Sequence, residues 1–388
     1  MLWPVFQTLR YTEVSLGMSN EDKRFMRAAN RLALRGKNRP SRDPLIGVVV
    51  VAGGRVVGRG FADEHQSAPV GIALDQAGAL ATGGTLYTNI EPCASAEDEG
   101  ECLRLLIESR VARVVVGIAP DTDQGFKKHA EILARLRSER IEVETGVCLR
   151  ACREVNEKYL KYSATGLPFV TVKFAQSLDG RIATATGDSR WVSSSGARRF
   201  GHQLRREHDV ILVGIGTVLA DNPQLTVRLV DGRDPLRVVV DSSLRVPLTA
   251  RVLEGGAANH TLVATKTTAE PARARAIEDT GAKVLRLRAS PGGSGVDLAA
   301  LFQELGKQGI GSVLVEGGKA IVTSLFVMRV VDRLVAIIAP KLIGQGTDAI
   351  GDLGITKLDN AITFASVKFR KLGPDIIFDG RFASAGNG

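Results

Sequence analysis

Residues 312–327 read "SVLVEGGKAIVTSLFV". An apolar run ends at Glu316, two glycines follow, and the next residues form a helix-length apolar stretch, so the pattern predicts a strand, a tight turn and a helix. A turn of this kind admits two readings. Gly317 and Gly318 lack the Cβ that would hold a ligand off the backbone, and the helix behind them directs free N–H groups and its positive dipole end outward, which suits a phosphate. The same residues also make a serviceable strand-to-helix corner with no ligand. Either way the unit belongs to an α/β sheet and sets the fold class of the second half.

Working outward, strands are predicted at 169–177, "DVILVGIG" (209–216), "LRVVVDSS" (236–243), "HTLVAT" (260–265) and "KVLRLRA" (283–289), with helices through "GARRFGHQLRRE" (196–207) and 298–308. Long strands at "RLVAIIAPKLI" (333–343) and a hairpin in "SVKFRKLGPDIIFDG" (366–380) complete a sheet of six or more strands. The stretch "GIGTVLA" (214–220) resembles the start of a dinucleotide-binding turn. Asp221-Asn222-Pro223 stops it before a crossover helix can run, so it reads as a loop meeting a ligand.

The first half has its own alternation. Ser19 can cap a helix through "NEDKRFMRAANRLALR" (20–35), and "LIGVVVVAGGRVVGRGF" (45–61) reads as a hairpin turning at Ala52-Gly53-Gly54-Arg55. A helix in the seventies, a strand at "TLYTNIE" (85–91), a helix from Cys102, a strand at "RVVVGIA" (113–119), a helix at "KKHAEILARLR" (127–137), a strand at "IEVETGV" (141–147) and a helix over 149–162 follow. That order predicts a three-layer α/β unit. "SATGLP" (163–168) punctuates a boundary, giving units of 19–163 and 166–384, with residues 1–18 a disordered or mis-assigned start before Met18.

At 388 residues two cores are the natural expectation. No apolar run reaches the ~18–20 residues of a membrane span and no export signal opens the chain, so a cytoplasmic protein without a membrane partner is expected. Four cysteines, at 93, 102, 148 and 152, then argue for metal or reduced thiols over disulfides. The net charge of +9 is spread along both halves and only 5% of residues are aromatic, which favours phosphate-bearing small molecules over nucleic acid.

The runs "PFVTVKFAQSLDGRIATATGDSRWVSS" (168–194), "ILVGIGTVLADNPQLTVR" (211–228), "VVVDSSLRVP" (238–247), "VLVEGG" (313–318) and "APKLIG" (339–344) resemble, in order and spacing, the reductase domain of the riboflavin biosynthesis deaminase–reductase family. The resemblance implies a dihydrofolate-reductase-like mixed sheet that uses NADPH to reduce the ribosyl chain of 5-amino-6-(5-phosphoribosylamino)uracil. It places cofactor contacts at Ala175, Trp191, Thr217, Asp221 and Ser242 and along Gly318, Lys319, Ala320, Ile321, Val322, Thr323 and Ser324. Substrate contacts fall at Ser189, Arg205, Leu225, Arg228 and Glu316, with Lys173 and Glu316 as the catalytic pair. Arg205 and Arg228 have the forked guanidinium that grips phosphate bidentately.

The same resemblance implies a cytidine-deaminase-like first domain, in which one histidine and two cysteines hold zinc and a glutamate moves protons. "EPCASAEDEGEC" (91–102) supplies Cys93 and Cys102 at the family's spacing. The family's Pro-His-Ala-Glu motif should lie about 25 residues upstream by that resemblance, where this chain has "SAPVGIALDQAG" (67–78). One alignment puts Ala68 and Val70 at the histidine and glutamate, the other Val70 and Ile72; none of these binds zinc or carries a proton. Asp43-Pro44 stands where the family has Asn-Pro, replacing an amide that reads the pyrimidine. The expectation is an active reductase with a zinc-free pseudo-deaminase domain, its Cys93 and Cys102 vestigial. It acts as a homo-oligomer on a small phosphorylated pyrimidine and can take substrate from a separate deaminase. One alternative restores both reactions through a displaced ligand, His65 with Glu64. Two others make the chain a nucleic-acid-binding deaminase relative or a non-catalytic nucleotide binder.

Overall fold

The computed structural model describes residues 19–37, 39–63, 68–94, 99–119, 127–293 and 295–382; the expectations for 1–18 and for Glu64 and His65 lie outside them. The chain divides into two compact units between Thr165 and Gly166.

The first unit holds α1 (Asn20–Ala33), β1 (Gly47–Ala52), β2 (Arg55–Phe61), α2 (Pro69–Ala77), β3 (Thr85–Thr88), α3 (Glu99–Glu108), β4 (Arg113–Val116), α4 (Lys127–Ser138), β5 (Glu142–Thr145), α5 (Leu149–Val155) and α6 (Glu157–Thr165). Its sheet runs β2-β1-β3-β4-β5, antiparallel across the first three strands and parallel from β3 to β5. Ser19 caps α1 by accepting from the Asp22 amide, and Phe25, Met26, Ala29 and Ala33 turn one face of the helix into the core. Gly47 is required beneath it: a Cβ there would lie 2.0 Å from the Ala29 carbonyl oxygen. The predicted hairpin is present, with a bulge at Val50/Val51. The single helix expected over 149–162 is two, because buried Asn156 leaves the helix to accept from the Leu45 amide and donate to the Leu45 carbonyl.

The second unit holds β6 (Phe169–Ser177), β7 (Arg181–Thr184), α7 (Ser195–Arg206), β8 (Val210–Gly214), α8 (Ile215–Asp221), β9 (Leu236–Val240), β10 (Thr261–Lys266), α9 (Pro271–Glu278), β11 (Lys283–Leu287), α10 (Leu298–Lys307), β12 (Ser312–Val315), α11 (Lys319–Val327), β13 (Arg333–Ala339), β14 (Gly346–Asp348), β15 (Ser366–Leu372) and β16 (Asp375–Arg381). Nine strands form one sheet in the order β11-β10-β9-β8-β12-β6-β13-β16-β15. The run from β11 to β13 is parallel, and the terminal hairpin adds two antiparallel strands. Valines and isoleucines of the central strands are buried on both faces, as a parallel sheet covered by helices requires. The 214–220 stretch corrects the loop reading: two turns of helix, α8, fit before Pro223, and Asn222 ends them in a left-handed conformation. Among the described residues no helix is long and apolar enough to cross a membrane.

Candidate active site

The carboxyl ends of β6, β8, β9 and β12 open onto a cleft of about 1190 Å³, where a parallel sheet places ligands. Its walls include Lys173, Ala175, Ser189, Thr217, Asp221, Ser242, Glu316, Gly318, Lys319, Ala320, Ile321 and Ser324. Gly318 starts α11 with no side-chain cap, so the first amides of that helix have no intrahelical acceptor and face the cleft end uncovered. Thr217 approaches the same corner, its Oγ1 3.7 Å from where a Cβ on Gly318 would sit. Lys319 is held by Asp348 at 3.1 Å. The Ser189 hydroxyl meets Asp221 Oδ1 at 3.4 Å.

A charged cluster lies below the glycines. Arg205 donates from Nε and Nη2 to Glu316 at 3.0 and 2.7 Å and from Nη1 to the Thr226 carbonyl at 3.0 Å. Burial alone pushes the Glu316 carboxyl up, yet the charges of Arg205 and Lys173 and the Arg205 hydrogen bonds outweigh it and hold the group at about 2. Lys173 passes Gly201 of α7, with Nζ 3.6 Å from where a Cβ would stand. His202 accepts the Arg228 amide at Nδ1, 3.0 Å away. Burial first, then the neighbouring cations, press its imidazole down to about 4, so it is neutral near pH 7.

Five expected site residues, Arg205, Leu225, Val322, Thr323 and Trp191, have side chains engaged within the protein or set off the cleft walls. Arg205 spends three of its five N–H groups within the protein, two on Glu316 and one on the Thr226 carbonyl. The Leu225 side chain is buried in an apolar core behind the cleft, and its backbone is left-handed at φ 57°, so only its main chain can meet a ligand. Val322 is likewise core, and the Thr323 hydroxyl is spent on the Lys319 carbonyl and the Gly351 amide. Trp191 lies off the cleft walls, 63% exposed beneath the Arg198 guanidinium. Arg228 is exposed, donating to Gln224 at 2.7 Å. Sequence reasoning passed over Arg245, which lines the cleft three residues after Ser242; the signal was a cation in the loop just past the end of β9.

In the first unit Cys93 and Cys102 are joined as a disulfide, Cα to Cα 5.9 Å, where the sequence pointed to reduced or metal-bound thiols. A backbone that brings two cysteines onto one tetrahedral ion also brings them within bonding reach of each other. Val70 is buried in the core, and Ala68 precedes α2 without a side-chain cap, so this helix offers that region only aliphatic groups. Among the described residues no three His, Cys, Asp or Glu side chains converge as a metal site. Glu91 is buried beside these cysteines, its carboxyl pushed up to about 7 by desolvation. Asp43 pairs with Arg39 at 3.6 Å. Cys152 is a buried free thiol, pushed up to about 12 by burial, that accepts from Asn30.

Residues 168–378 match the RibD C-terminal domain, and residues 19–118 match the cytidine and deoxycytidylate deaminase zinc-binding region. A riboflavin biosynthesis protein RibD from Aquifex aeolicus is 37% identical across 92% of this chain and 97% of its own. The chain belongs to the RibD family. RibD from Escherichia coli is 33% identical over 92% of this chain and 98% of its own length. The solved structure of Acinetobacter baumannii RibD superposes with a TM-score of 0.79 at 31% identity, covering 94% of this chain and 99% of that one. A diaminohydroxyphosphoribosylaminopyrimidine deaminase/5-amino-6-(5-phosphoribosylamino)uracil reductase from Thermotoga maritima gives 0.76 at 28% identity, covering 94% and 99%. Membership in RibD places the chain in riboflavin biosynthesis, with a deaminase-type domain followed by the RibD reductase domain.

Proposed function

We propose that this RibD chain is an NADPH-dependent reductase of 5-amino-6-(5-phosphoribosylamino)uracil whose first domain, 19–163, no longer deaminates and whose reductase domain is 166–384. The observation that carries the reading is an asymmetry. The second unit keeps a furnished cleft, whereas the first has a cystine and an aliphatic helix face where the family's chemistry needs a metal and a proton carrier.

NADPH, when bound, supplies the hydride. Its phosphates suit the uncapped α11 amides beside Gly318 and Thr217, and the Arg245 guanidinium, which has no ion pair among the described residues, gives the cleft a cation suited to a 2′-phosphate next to Ser242. Lys173 offers a proton or a charge-assisted hydrogen bond to the oxygen that becomes negative at the reacting carbon of the opened sugar. Glu316, fixed as a carboxylate by Arg205, attracts the Lys173 side chain and positions it for that step. Arg228, freer than Arg205, is the better candidate for the substrate phosphate. The retained first domain serves as scaffold in a homo-oligomer that accepts deaminated pyrimidine from a separate enzyme.

The test supplies the deaminated and undeaminated pyrimidines separately while following reduced-cofactor absorbance, ammonia and protein-bound zinc. Cofactor oxidation with the uracil and no ammonia from the diamino compound is expected. Ammonia release with stoichiometric zinc would overturn the pseudo-deaminase, and no oxidation with either compound would overturn the reductase.

A further inference from the structure

A second hollow lies wholly within the first unit, away from the cysteines in sequence. It measures about 380 Å³, toward the small end of small-molecule sites. The floor is apolar, made by Phe25, Ala28 and Leu32 of α1 with Val49 and Val56 of the first two strands. Four guanidiniums stand around it, from Arg24, Arg31, Arg35 and Arg59, and no carboxylate lines the hollow.

None of these four arginines has a carboxylate partner among the described residues, although Arg39, Arg104 and Arg113 of the same unit are all ion-paired. Two of the four are already held in place. Arg24 lies over the Phe25 ring at 5.3 Å and Arg35 over the Phe61 ring at 4.6 Å. Stacking fixes the plane of a guanidinium while leaving its N–H edge available, so ordering the fork costs less when an anion arrives. Four unpaired cations over one apolar floor repel one another, and the arrangement gains most from a ligand that is anionic at one end and flat and apolar at the other.

We infer that this hollow is a binding site for a phosphorylated aromatic small molecule of mononucleotide class, separate from the reductase cleft. An extended acidic peptide fits less well. Strand β2 is the sheet edge such a peptide would extend, but the Arg59 amide there already donates to Gln76 Oε1 at 2.7 Å. A polynucleotide needs a longer basic track, and Arg104 and Arg113 of this unit are neutralised by their own carboxylates.

The experiment is calorimetric titration of the full-length protein with AMP, adenosine and inorganic phosphate, repeated on the Arg31→Ala/Arg35→Ala double variant. Both positions are exposed, so the variant is expected to fold, and unchanged NADPH oxidation and circular dichroism check this. With saturating NADP+ filling the reductase cleft, expected is one AMP site present in the parent and weakened at least about tenfold in the variant, with adenosine and phosphate each at least about tenfold weaker than AMP in the parent. AMP binding identical in parent and variant overturns the site. Phosphate binding as tightly as AMP removes the role of the apolar floor, and adenosine binding as tightly removes that of the arginines; either overturns the ligand class. Affinity for a single-stranded RNA that rises with its length, or a dimer that dissociates in the variant, assigns the hollow to a macromolecular contact and equally overturns it.

Discussion

Replacing Glu316 with glutamine keeps the shape of the side chain and removes the charge that Arg205 is folded around. The carboxyl is 11% exposed and accepts two hydrogen bonds from that guanidinium. Moving its titration from 4.5 to about 2 corresponds to about 3 kcal/mol, at ~1.36 kcal/mol per tenfold change in proton affinity. The folded-state value is depressed, so the stabilisation is complete above about pH 4.5 and is lost as pH falls through about 2. Protonated glutamate and glutamine are near-isosteres, hence the stability gap between parent and Glu316→Gln should be about 3 kcal/mol at pH 6 and about 1.5 kcal/mol at pH 3. Urea unfolding across that range measures the gap. Amide exchange at Ser312–Val315 reports the second unit separately, because two units need not unfold together. A gap that stays constant with pH, or one below about 0.5 kcal/mol at pH 6, would refute the reasoning.

His202 carries the same sign in a higher pH window. Its folded value is pressed to about 4 against an ordinary 6.5, so the unfolded chain binds the proton first and stability drops as pH falls from 6.5 toward 4; His202→Gln should flatten that slope in the same urea series. Gly318→Ala puts a Cβ at ordinary contact distance from Thr217 Oγ1, so the fold should survive while KM for NADPH rises roughly tenfold, read by steady-state kinetics beside an unchanged melting curve. Gly47→Ala drives a methyl against the Ala29 carbonyl and should cost about 1–3 kcal/mol in the first unit, measurable as a lowered urea midpoint. A melting curve equal to the parent's would show that α1 can lift away from β1 freely.

Periodicity made the sheets legible. Alternating strand and helix patterns, the hairpin at Gly53-Gly54 and the strand–Gly-Gly–helix turn at 316–318 each follow from local chemistry that the fold then uses. Local chemistry could not foresee that Asn156 would break a helix to serve Leu45, 111 residues away. The same limit applies to the site. Ser242 and Gly318 lie just past strand ends and Thr217 in the first turn of the helix after β8, positions that a motif marks. The Arg205 ion pair was illegible because its partner lies 111 residues distant at the end of a strand, and an arginine's job depends on which anion reaches it first. Cys93 and Cys102 show the converse: their spacing reported correctly that two sulfurs meet, but it was silent on what joins them.

Strand β6 opens the second unit in the chain yet occupies the interior of its sheet, between β12 and β13, whose residues arrive more than 130 positions later. On the ribosome the five strands of the first unit, all within Gly47–Thr145, can pair as soon as they emerge, whereas β6 waits with both edges bare until the last third of the message has been translated. A premature stop before Ser312 should therefore yield a half-protein with a sound front and a sticky, proteolysis-prone rear, and a chaperone that shields β6 should govern how much complete enzyme a cell recovers.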